Sequence, residues 1–458
     1  MPGSATAPFS AFVVAGTHSG AGKTSVTLGV IGALRRRGLA VQPFKVGPDF
    51  IDPLHHRAAS GRTALNLDGW LLDADANRAA FARASADADV AVIEGMMGLF
   101  DGSDARTDRG STAELAKLLD LPVVLVVDAG AMARSVAALV HGFASFDPAL
   151  RIAGVVLNNV GGPGHTQLLR EALDGVAPVL GGLPRDPAVT IAERHLGLHL
   201  PGEVAAARLE RLADLVVAEL DLNALLAGAR RPRPAAPGAP LRAASVPGPA
   251  PRIAVARDAA FCFVYADNLR LLEEAGAEIV PWSPLAEPLP EGSDGVYVPG
   301  GYPELHAAAL AANCAARASL RRFAEAGGPV YAECGGLMYL GETLEVDGCA
   351  HAMCGALPLA TRIPAGLTIG YLEVTTEGGL FGPGSTARGH VFHHAELVAE
   401  PPLDSVHRLR TVGGAESREG YATGNVLASW VHLHFGSCPT LAPALVERCR
   451  DWRAAQPA

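Results

Sequence analysis

The stretch Gly16-Thr-His-Ser-Gly-Ala-Gly-Lys-Thr24 decides the fold of the first half of the chain. It follows a short apolar run, Ala11 to Ala15, and leads into Gly22 to Arg37, which we predict as a helix closed by Gly38. Strand, glycine-rich loop, Lys-Thr and helix in this order are typical of a P-loop, where backbone N–H groups and a helix N-terminus face phosphate oxygens. A glycine-rich turn that only caps a helix is the alternative interpretation.

In the P-loop interpretation, Lys23 reaches the outer phosphate oxygens and Thr24 is available to Mg2+. The residues predicted to bind the nucleotide are Thr17, His18, Ser19, Gly20, Ala21, Gly22, Lys23 and Thr24. Thr17 stands where the usual pattern has its first glycine. The loop resembles those of dethiobiotin synthetase and of ParA-like proteins, but His18 replaces the second lysine of the ParA-like group.

A second charged motif is Phe44-Lys-Val-Gly-Pro-Asp-Phe-Ile-Asp-Pro53. Lys45 is predicted to bind phosphate, because it is one of only three lysines in the chain and a compact ammonium suits that role. Asp49 is predicted to hold Mg2+ or substrate, and Asp52 substrate, because hard cations prefer carboxylate oxygens. The alternative is that these acids only cap a helix and line a solvated turn.

Apolar runs separated by longer amphipathic stretches predict a parallel sheet covered on both faces. The predicted strands are Ala11 to Ala15, Val90 to Ile93, Val123 to Asp128 and Ile152 to Asn158. Glu94 follows one of them directly, at the sheet edge where ligands bind, so we predict it as a second Mg2+ carboxylate. Asp128 has the same position, but a helix cap explains it equally well.

With 458 residues, the chain is long enough for two domains. A proline-rich stretch, 228–251, is predicted as a linker between an ATP-binding domain, 1–227, and a second domain, 252–458. The predicted strands of the second domain are Arg252 to Ala256, Gly295 to Val298, Pro329 to Ala332 and Ala428 to Phe435.

Cys334 lies in Pro329-Val-Tyr-Ala-Glu-Cys-Gly-Gly-Leu-Met338, a strand followed by a small-residue turn into an apolar helix. This context predicts a nucleophile exposed on an elbow, with a thiol pKa lowered by the helix N-terminus. The remaining cysteines are predicted to be buried space-fillers: Cys262, Cys314, Cys349, Cys354, Cys438 and Cys449.

His432 and His434 are the candidate partners of the thiol. Residues two apart on a strand share a face, so both imidazoles could point into one site, one as base and one orienting it. Two structural histidines are the alternative. Gly300 and Gly301 follow a predicted strand, and their N–H groups are candidates for an oxyanion site.

The ordered set of motifs resembles the cobyrinic acid or hydrogenobyrinic acid a,c-diamide synthases of vitamin B12 synthesis. Beyond the motifs above it includes Pro184-Arg-Asp-Pro187, Ala260-Phe-Cys-Phe-Val-Tyr265 and Gly300-Gly-Tyr-Pro-Glu-Leu-His306. The resemblance implies a P-loop ligase of dethiobiotin-synthetase type joined to a flavodoxin-like class I glutamine amidotransferase domain. It implies ATP, L-glutamine and a corrin polycarboxylate as reactants and Mg2+ as a cofactor. The corrin carboxylates would be amidated through an acyl phosphate.

The resemblance also implies that Cys334 is the nucleophile and His432 its base. Class I amidotransferases have His-x-Glu where this chain has His432-Leu-His434, so the third member of the triad stays open. Two other functions stay open as well: a diamide synthase for another tetrapyrrole such as nickel sirohydrochlorin, and a ParA-like ATPase switch with an inactive amidotransferase domain. Arg388 to His394 is a candidate substrate contact.

Composition limits the classes of partner. The net charge of -10 argues against general nucleic-acid binding, which requires a concentrated basic surface. No run approaches the roughly 20 apolar residues of a membrane span, and no signal peptide is recognisable. Seven irregularly spaced cysteines fit neither a disulfide framework nor a zinc module, which favours the cytoplasm. A homodimer is left open.

Overall fold

A computed structural model of the protein describes residues 9–189, 193–194, 197–198, 206–235, 249–364 and 366–456. The chain divides into two compact units, Met1–Gly238 and Ala239–Ala458. Each unit is built from helices on a sheet that is parallel wholly or in part, which confirms the predicted α/β fold class.

The first unit contains strands β1 (Phe9–Gly16), β2 (Val41–Val46), β3 (Leu65–Leu67), β4 (Val90–Gly98), β5 (Val123–Asp128), β6 (Ile152–Val160), β7 (Val179–Pro184), β8 (Glu193–Arg194), β9 (Gly197–Leu198) and β10 (Arg230–Arg231). Its helices are α1 (Lys23–Arg36), α2 (Ile51–Ser60), α3 (Ala74–Ala84), α4 (Thr112–Leu118), α5 (Ser135–Phe146), α6 (Pro163–Ala172), α7 (Ala206–Glu219) and α8 (Leu222–Gly228).

The main sheet of the first unit has the order β3-β2-β4-β1-β5-β6-β7, with parallel pairing throughout this path. The strand β1 is buried along its whole length, as a central strand covered on both faces should be. The register pairs Glu94 with Val14 on one side and with Lys45 on the other. Glu94 was predicted to follow its strand directly, but β4 continues to Gly98. Lys45 in β2 and Glu94 in β4 therefore lie side by side, close to the glycine-rich loop after β1.

The strand β10 pairs antiparallel with β1. The first unit thus continues beyond residue 227, where the sequence places the end of its domain. Of the predicted linker, residues 236–248 lie outside the described residues.

The second unit contains strands β11 (Arg252–Ala256), β12 (Phe261–Phe263), β13 (Glu278–Trp282), β14 (Gly295–Val298), β15 (Gly300–Gly301), β16 (Val330–Glu333), β17 (Thr343–Val346), β18 (Cys349–Ala352), β19 (Ala360–Arg362), β20 (Thr368–Glu377), β21 (Pro383–His393), β22 (Glu396–Leu397), β23 (Ser405–Thr411), β24 (Glu416–Thr423), β25 (Val426–Ser429) and β26 (His432–Leu433). Its helices are α9 (Ala266–Glu274), α10 (Ala307–Ala312), α11 (Cys314–Glu325), α12 (Gly335–Leu340) and α13 (Leu441–Ala455).

The large sheet of this unit has the order β13-β11-β14-β16-β25-β24-β23-β20-β21-β26. Pairing is parallel from β13 to β25 and antiparallel from β25 onward. The parallel part carries Cys334 at the end of β16, and the antiparallel part returns β26 and His432 to it.

The single strand predicted from Ala428 to Phe435 is wrong. The structure has two strands there, β25 on β16 and β26 on β21. Between them Trp430 N donates to Glu419 Oε2 at 2.9 Å, and Val431 N donates to Ser429 Oγ at 3.0 Å. These bonds turn the backbone away from the strand pairing of β25. Alternation of apolar residues in the sequence cannot reveal such a turn.

The prediction that six cysteines are buried space-fillers is also wrong in part. Cys354, Cys438 and Cys449 are buried and Cys262 is half-buried, whereas Cys314 and Cys349 are exposed. All seven cysteines lie in the described ranges and are free thiols. No helix in those ranges is long and apolar enough to cross a membrane.

Candidate active sites

The glycine-rich loop joins β1 to α1. Gly22 has a φ of 97° and precedes the first turn of α1. A Cβ at this position would lie 2.0 Å from Asn158 Nδ2, so only glycine fits. The same amide donates to Ala21 O at 3.0 Å. A side chain from β6 thus holds the loop that is predicted to enclose phosphate.

Lys23 folds back over this loop. Its Nζ donates to Met97 O at 2.5 Å and to His18 O at 3.4 Å. Burial lowers the pKa of Lys23, and the neighbouring charge of Lys45 lowers it further. Phosphate oxygens are stronger partners for an ammonium than neutral carbonyls, so this geometry suits exchange of the carbonyls for a nucleotide.

Lys45 is the centre of an acidic cluster beside the loop. It is buried and forms ion pairs with Asp52 and with Glu94, whose Oε1 lies 3.0 Å from Nζ. Asp49 is more exposed, with its Oδ2 3.7 Å from Lys45 Nζ. Its Oδ1 accepts hydrogen bonds from Ile51 N at 2.8 Å and Asp52 N at 3.0 Å. Asp49 therefore supports the start of α2 and also faces the cluster.

Glu94 links the cluster to the P-loop. Its Oε1 accepts from Thr24 Oγ1 at 2.6 Å, and its Oε2 pairs with His56 Nε2 at 2.6 Å. Burial alone would raise the pKa of this carboxyl, but Lys45, His56 and Thr24 together hold it below its ordinary value. His56 was not among the predicted site residues. Its position in α2, one turn after Asp52, was the available signal.

Three carboxylates of the cluster lie around Lys45. Asp49, Asp52 and Glu94 surround Lys45, and burial together with the two other carboxylates raises the pKa of Asp52. Among the described residues, no three His, Cys, Asp or Glu side chains could hold a metal ion by themselves. The Thr24 hydroxyl and these carboxylate oxygens fit Mg2+ that takes its other ligands from phosphate and water, its usual coordination in nucleotide sites.

Two further aspartates lie at the same sheet edge. Asp101 was not predicted; its Oδ2 accepts from Gly98 N at 2.8 Å, and its charge acts on Lys23. Asp128 accepts from Gly130 N and from Asn159 Nδ2, each at 3.1 Å. These bonds hold the turn after β5 and do not cap a helix, because the next helix, α5, begins only at Ser135.

Cys334 forms a strained elbow between β16 and α12. Its φ of 48° and ψ of -103° are unusual for a residue with a side chain, and its N–H donates to Ser429 O at 2.7 Å. The small residues that follow are required by packing, since a Cβ on Gly336 would lie 2.0 Å from Val298 O. Strain at a cysteine held this tightly is the geometry of a nucleophile elbow.

Gly300 brings Cys334 and His432 together. A Cβ built on Gly300 would lie 3.2 Å from His432 Nε2 and 3.4 Å from Cys334 Cβ. The neighbouring Gly301 N would lie 3.1 Å from a Cβ on Gly335, the first residue of α12. The predicted nucleophile, base and glycine pair are therefore neighbours in one buried site.

The predicted lowering of the Cys334 pKa is wrong. Burial raises the pKa of this thiol, with a further contribution from the charge of Glu304. Burial and the adjacent His390 and His393 lower the pKa of His432 well below its ordinary value. Both groups are therefore neutral at rest, so His432 can accept a proton and Cys334 still has one to give.

His434 does not continue a strand with His432. It precedes a short 3-10 helix, and its Nδ1 accepts from Gly436 N at 3.1 Å while its ring packs on Tyr265 with centroids 4.6 Å apart. Tyr265 OH in turn pairs with His390 Nδ1 at 2.9 Å, and His390 stacks on His432 at 5.0 Å. Part of the segment proposed to touch the substrate, Arg388 to His394, thus lies against the predicted base.

Comparison with known proteins matches both units. The model described as a CobQ/CobB/MinD/ParA nucleotide binding domain matches residues 12–198, and that described as a CobB/CobQ-like glutamine amidotransferase domain matches residues 252–439. A cobyrinate a,c-diamide synthase of Syntrophotalea carbinolica is 49% identical, covering 96% of this chain and 98% of that protein.

The chain belongs to the cobyrinate and hydrogenobyrinate a,c-diamide synthase family. A hydrogenobyrinate a,c-diamide synthase of Rhodobacter capsulatus is 45% identical, covering 92% of this chain and 98% of that protein. Another, of Streptomyces coelicolor, is 42% identical, with 96% and 97% covered. The match confirms the predicted family and assigns a nucleotide-binding fold to the first unit and an amidotransferase fold to the second.

Proposed function

We propose that this family member amidates the a and c carboxylates of cobyrinic or hydrogenobyrinic acid, using ATP and glutamine. The supporting observation is that one chain, related over its whole length to such synthases, carries both necessary sites. One is the cluster of Lys23, Lys45 and Glu94 beside the P-loop. The other is the pair of Cys334 and His432 at Gly300.

The first step makes the carboxylate reactive. A carboxylate oxygen leaves poorly, so the substrate oxygen attacks the γ-phosphorus of ATP, the bond to ADP breaks, and an acyl phosphate forms. Phosphoryl transfer depends mainly on positioning and on cations around the transferred group, which Lys23 and Lys45 supply. Thr24, Glu94 and Asp49 would hold Mg2+, which when bound neutralises phosphate charge, while Asp52 helps to position the substrate.

The second unit releases ammonia from glutamine. His432 takes the proton of the Cys334 thiol, and the sulfur attacks the carboxamide carbon of glutamine. Backbone N–H groups at Gly300 and Gly301 stabilise the resulting oxyanion. The proton then passes from His432 to the leaving nitrogen, giving ammonia and a thioester that water hydrolyses. Ammonia attacks the acyl phosphate, and phosphate leaves.

The proposal is tested by incubating the purified chain with ATP, Mg2+, glutamine and each of the two acids in turn. We expect a corrin product that carries two new amides, detected by mass spectrometry. Absence of that product with both acids contradicts the assignment. Amidation of nickel sirohydrochlorin instead would transfer the activity to another tetrapyrrole, and ATP hydrolysis without glutamine consumption would indicate a nucleotide switch.

A further inference from the structure

The sequence leaves open which group supports His432, because His434 stands where related amidotransferases have glutamate. Its Nδ1 is engaged with Gly436 N in the turn that follows. A carboxylate from another strand lies close to the imidazole. Glu333 Oε2 lies 3.9 Å from His432 Nδ1, and Glu333 immediately precedes Cys334.

Glu333 is held in place by three donors. Tyr297 OH donates to Oε2 at 2.7 Å, Tyr331 OH donates to Oε1 at 2.6 Å, and Leu433 N donates to Oε1 at 3.0 Å. The carboxylate is buried, as is the imidazole. Burying an acid at this depth is costly unless it is fully hydrogen-bonded. The three bonds fix the carboxylate in place beside the His432 ring.

The two nitrogens of His432 have different neighbours. A Cβ built on Gly300 would lie 2.4 Å from Cε1 and 3.2 Å from Nε2 of the ring, and Cys334 Cβ lies 3.4 Å from the same point. The other nitrogen, Nδ1, is the one that lies 3.9 Å from Glu333 Oε2. In a nucleophile, base and acid arrangement, the acid faces the base nitrogen that does not touch the nucleophile. A distance of 3.9 Å exceeds a hydrogen bond, but such contacts are often long without substrate and shorten in the reactive complex.

We infer that Glu333 is the positioning residue of this site: its carboxylate orients the His432 imidazole toward Cys334 and balances the charge gained when Nε2 accepts the thiol proton. In this chain the supporting glutamate is the residue before the nucleophile, whereas in related amidotransferases it is the residue two positions after the base. The inference deepens the proposed function and rests on it for the glutaminase half-reaction.

Glutaminase activity should then depend on ionisation of Glu333. Burial raises the pKa of Glu333 to about 7, although Tyr331, Tyr297 and Leu433 N counteract it. The titratable groups around the pair are Tyr297 on β14, Tyr331 on β16, Cys334 on the elbow, His390 and His393 on β21, and Glu304 near the thiol. The rate should therefore rise with pH through about 7 as the carboxylate becomes charged.

The decisive variant is Glu333→Gln, which keeps the size and hydrogen-bonding atoms of the side chain but not its charge. We expect glutaminase kcat to fall by about 10²-fold or more, with KM for glutamine little changed and the rise near neutral pH lost. Amidation driven by added ammonia should stay at the wild-type rate, which shows that the chain is folded. His434→Gln is the competing variant and should retain the pH dependence of the wild type.

The inference is overturned if Glu333→Gln keeps the wild-type rise with pH, whatever its rate, or if His434→Gln abolishes it instead. Should Glu333→Gln fail to fold, Tyr297→Phe decides: loss of its hydroxyl should move the rise to higher pH, and an unmoved profile contradicts the inference. A wild-type chain without glutaminase activity would overturn the proposed function itself, a distinct result.

Discussion

Replacing Lys45 by Met should destabilise the first unit in a pH-dependent way. Lys45 is the buried cation shared by Asp52 and Glu94. Removing one partner of a buried ion pair costs about 3–5 kcal/mol, because the remaining charge stays buried without compensation. The matched control is Lys117→Met. Lys117 pairs with Asp108 at 2.5 Å and Asp147 at 2.6 Å near the surface, where such pairs contribute less than about 1 kcal/mol.

The pH dependence follows from Glu94. Its folded pKa lies below the ordinary value, so its contribution to stability is present above the unfolded pKa of about 4.3 and is lost as the pH falls through the folded pKa. Without Lys45 the same carboxyl must be buried charged or take up a proton, which is harder at high pH. The loss of stability in Lys45→Met should therefore be larger near about pH 8 than near about pH 5.

Differential scanning calorimetry at both pH values measures this difference for the wild type and the two variants. An equal loss at both pH values would refute the electrostatic account of the cluster. Equal destabilisation by Lys117→Met would refute the claim that burial gives Lys45 its larger effect.

Three further predictions concern single substitutions. Cys334→Ser should abolish glutamine-driven amidation and leave ammonia-driven amidation intact, since it changes only the ammonia-releasing step; loss of both rates would contradict separate sites. Gly29→Ala should lower the free energy of unfolding by about 1–3 kcal/mol, because the new Cβ would lie 2.6 Å from Val216 Cγ2. Its control is Gly142→Ala, whose Cβ would have nothing within 4 Å and which should raise the free energy of unfolding by up to about 1 kcal/mol. Thermal unfolding that ranks the two variants in the opposite order would refute this packing argument. Asp49→Asn should slow amidation about tenfold or more, because it removes a charge from the cluster. It should change the free energy of unfolding by less than about 0.5 kcal/mol, because asparagine also caps helices. An unchanged initial rate of amidation would exclude a role of Asp49 in the reaction.

The phosphate-binding half of the fold was predictable because its information is local. The strand Val123–Asp128 and the helix after the glycine-rich loop follow from runs of apolar residues and from glycines at their ends. The carboxyl ends of parallel strands meet at one edge, so the proximity of Lys45 and Glu94 could be expected. Their direct pairing depends on strand register, which the sequence does not specify.

The amidotransferase half was predictable only in its outline. The motif around Cys334 indicates the elbow, but the thiol pKa depends on burial by distant segments, and this outweighs the effect of the six-residue helix α12. The break between β25 and β26 depends on Glu419 from another strand. Glu333 escaped notice because a glutamate beside a cysteine on a strand has no periodicity that marks it as functional.

Nitrogen from glutamine should enter a carboxylate that has been activated at the P-loop. The most direct measurement is mass spectrometry of the corrin product formed from glutamine labelled with ¹⁵N at its side-chain amide, in the presence of ATP. We predict that both new amides carry the label and that Cys334→Ser forms no labelled product. If ATP and glutamine are consumed but the corrin carries no label with both acids, the account is contradicted.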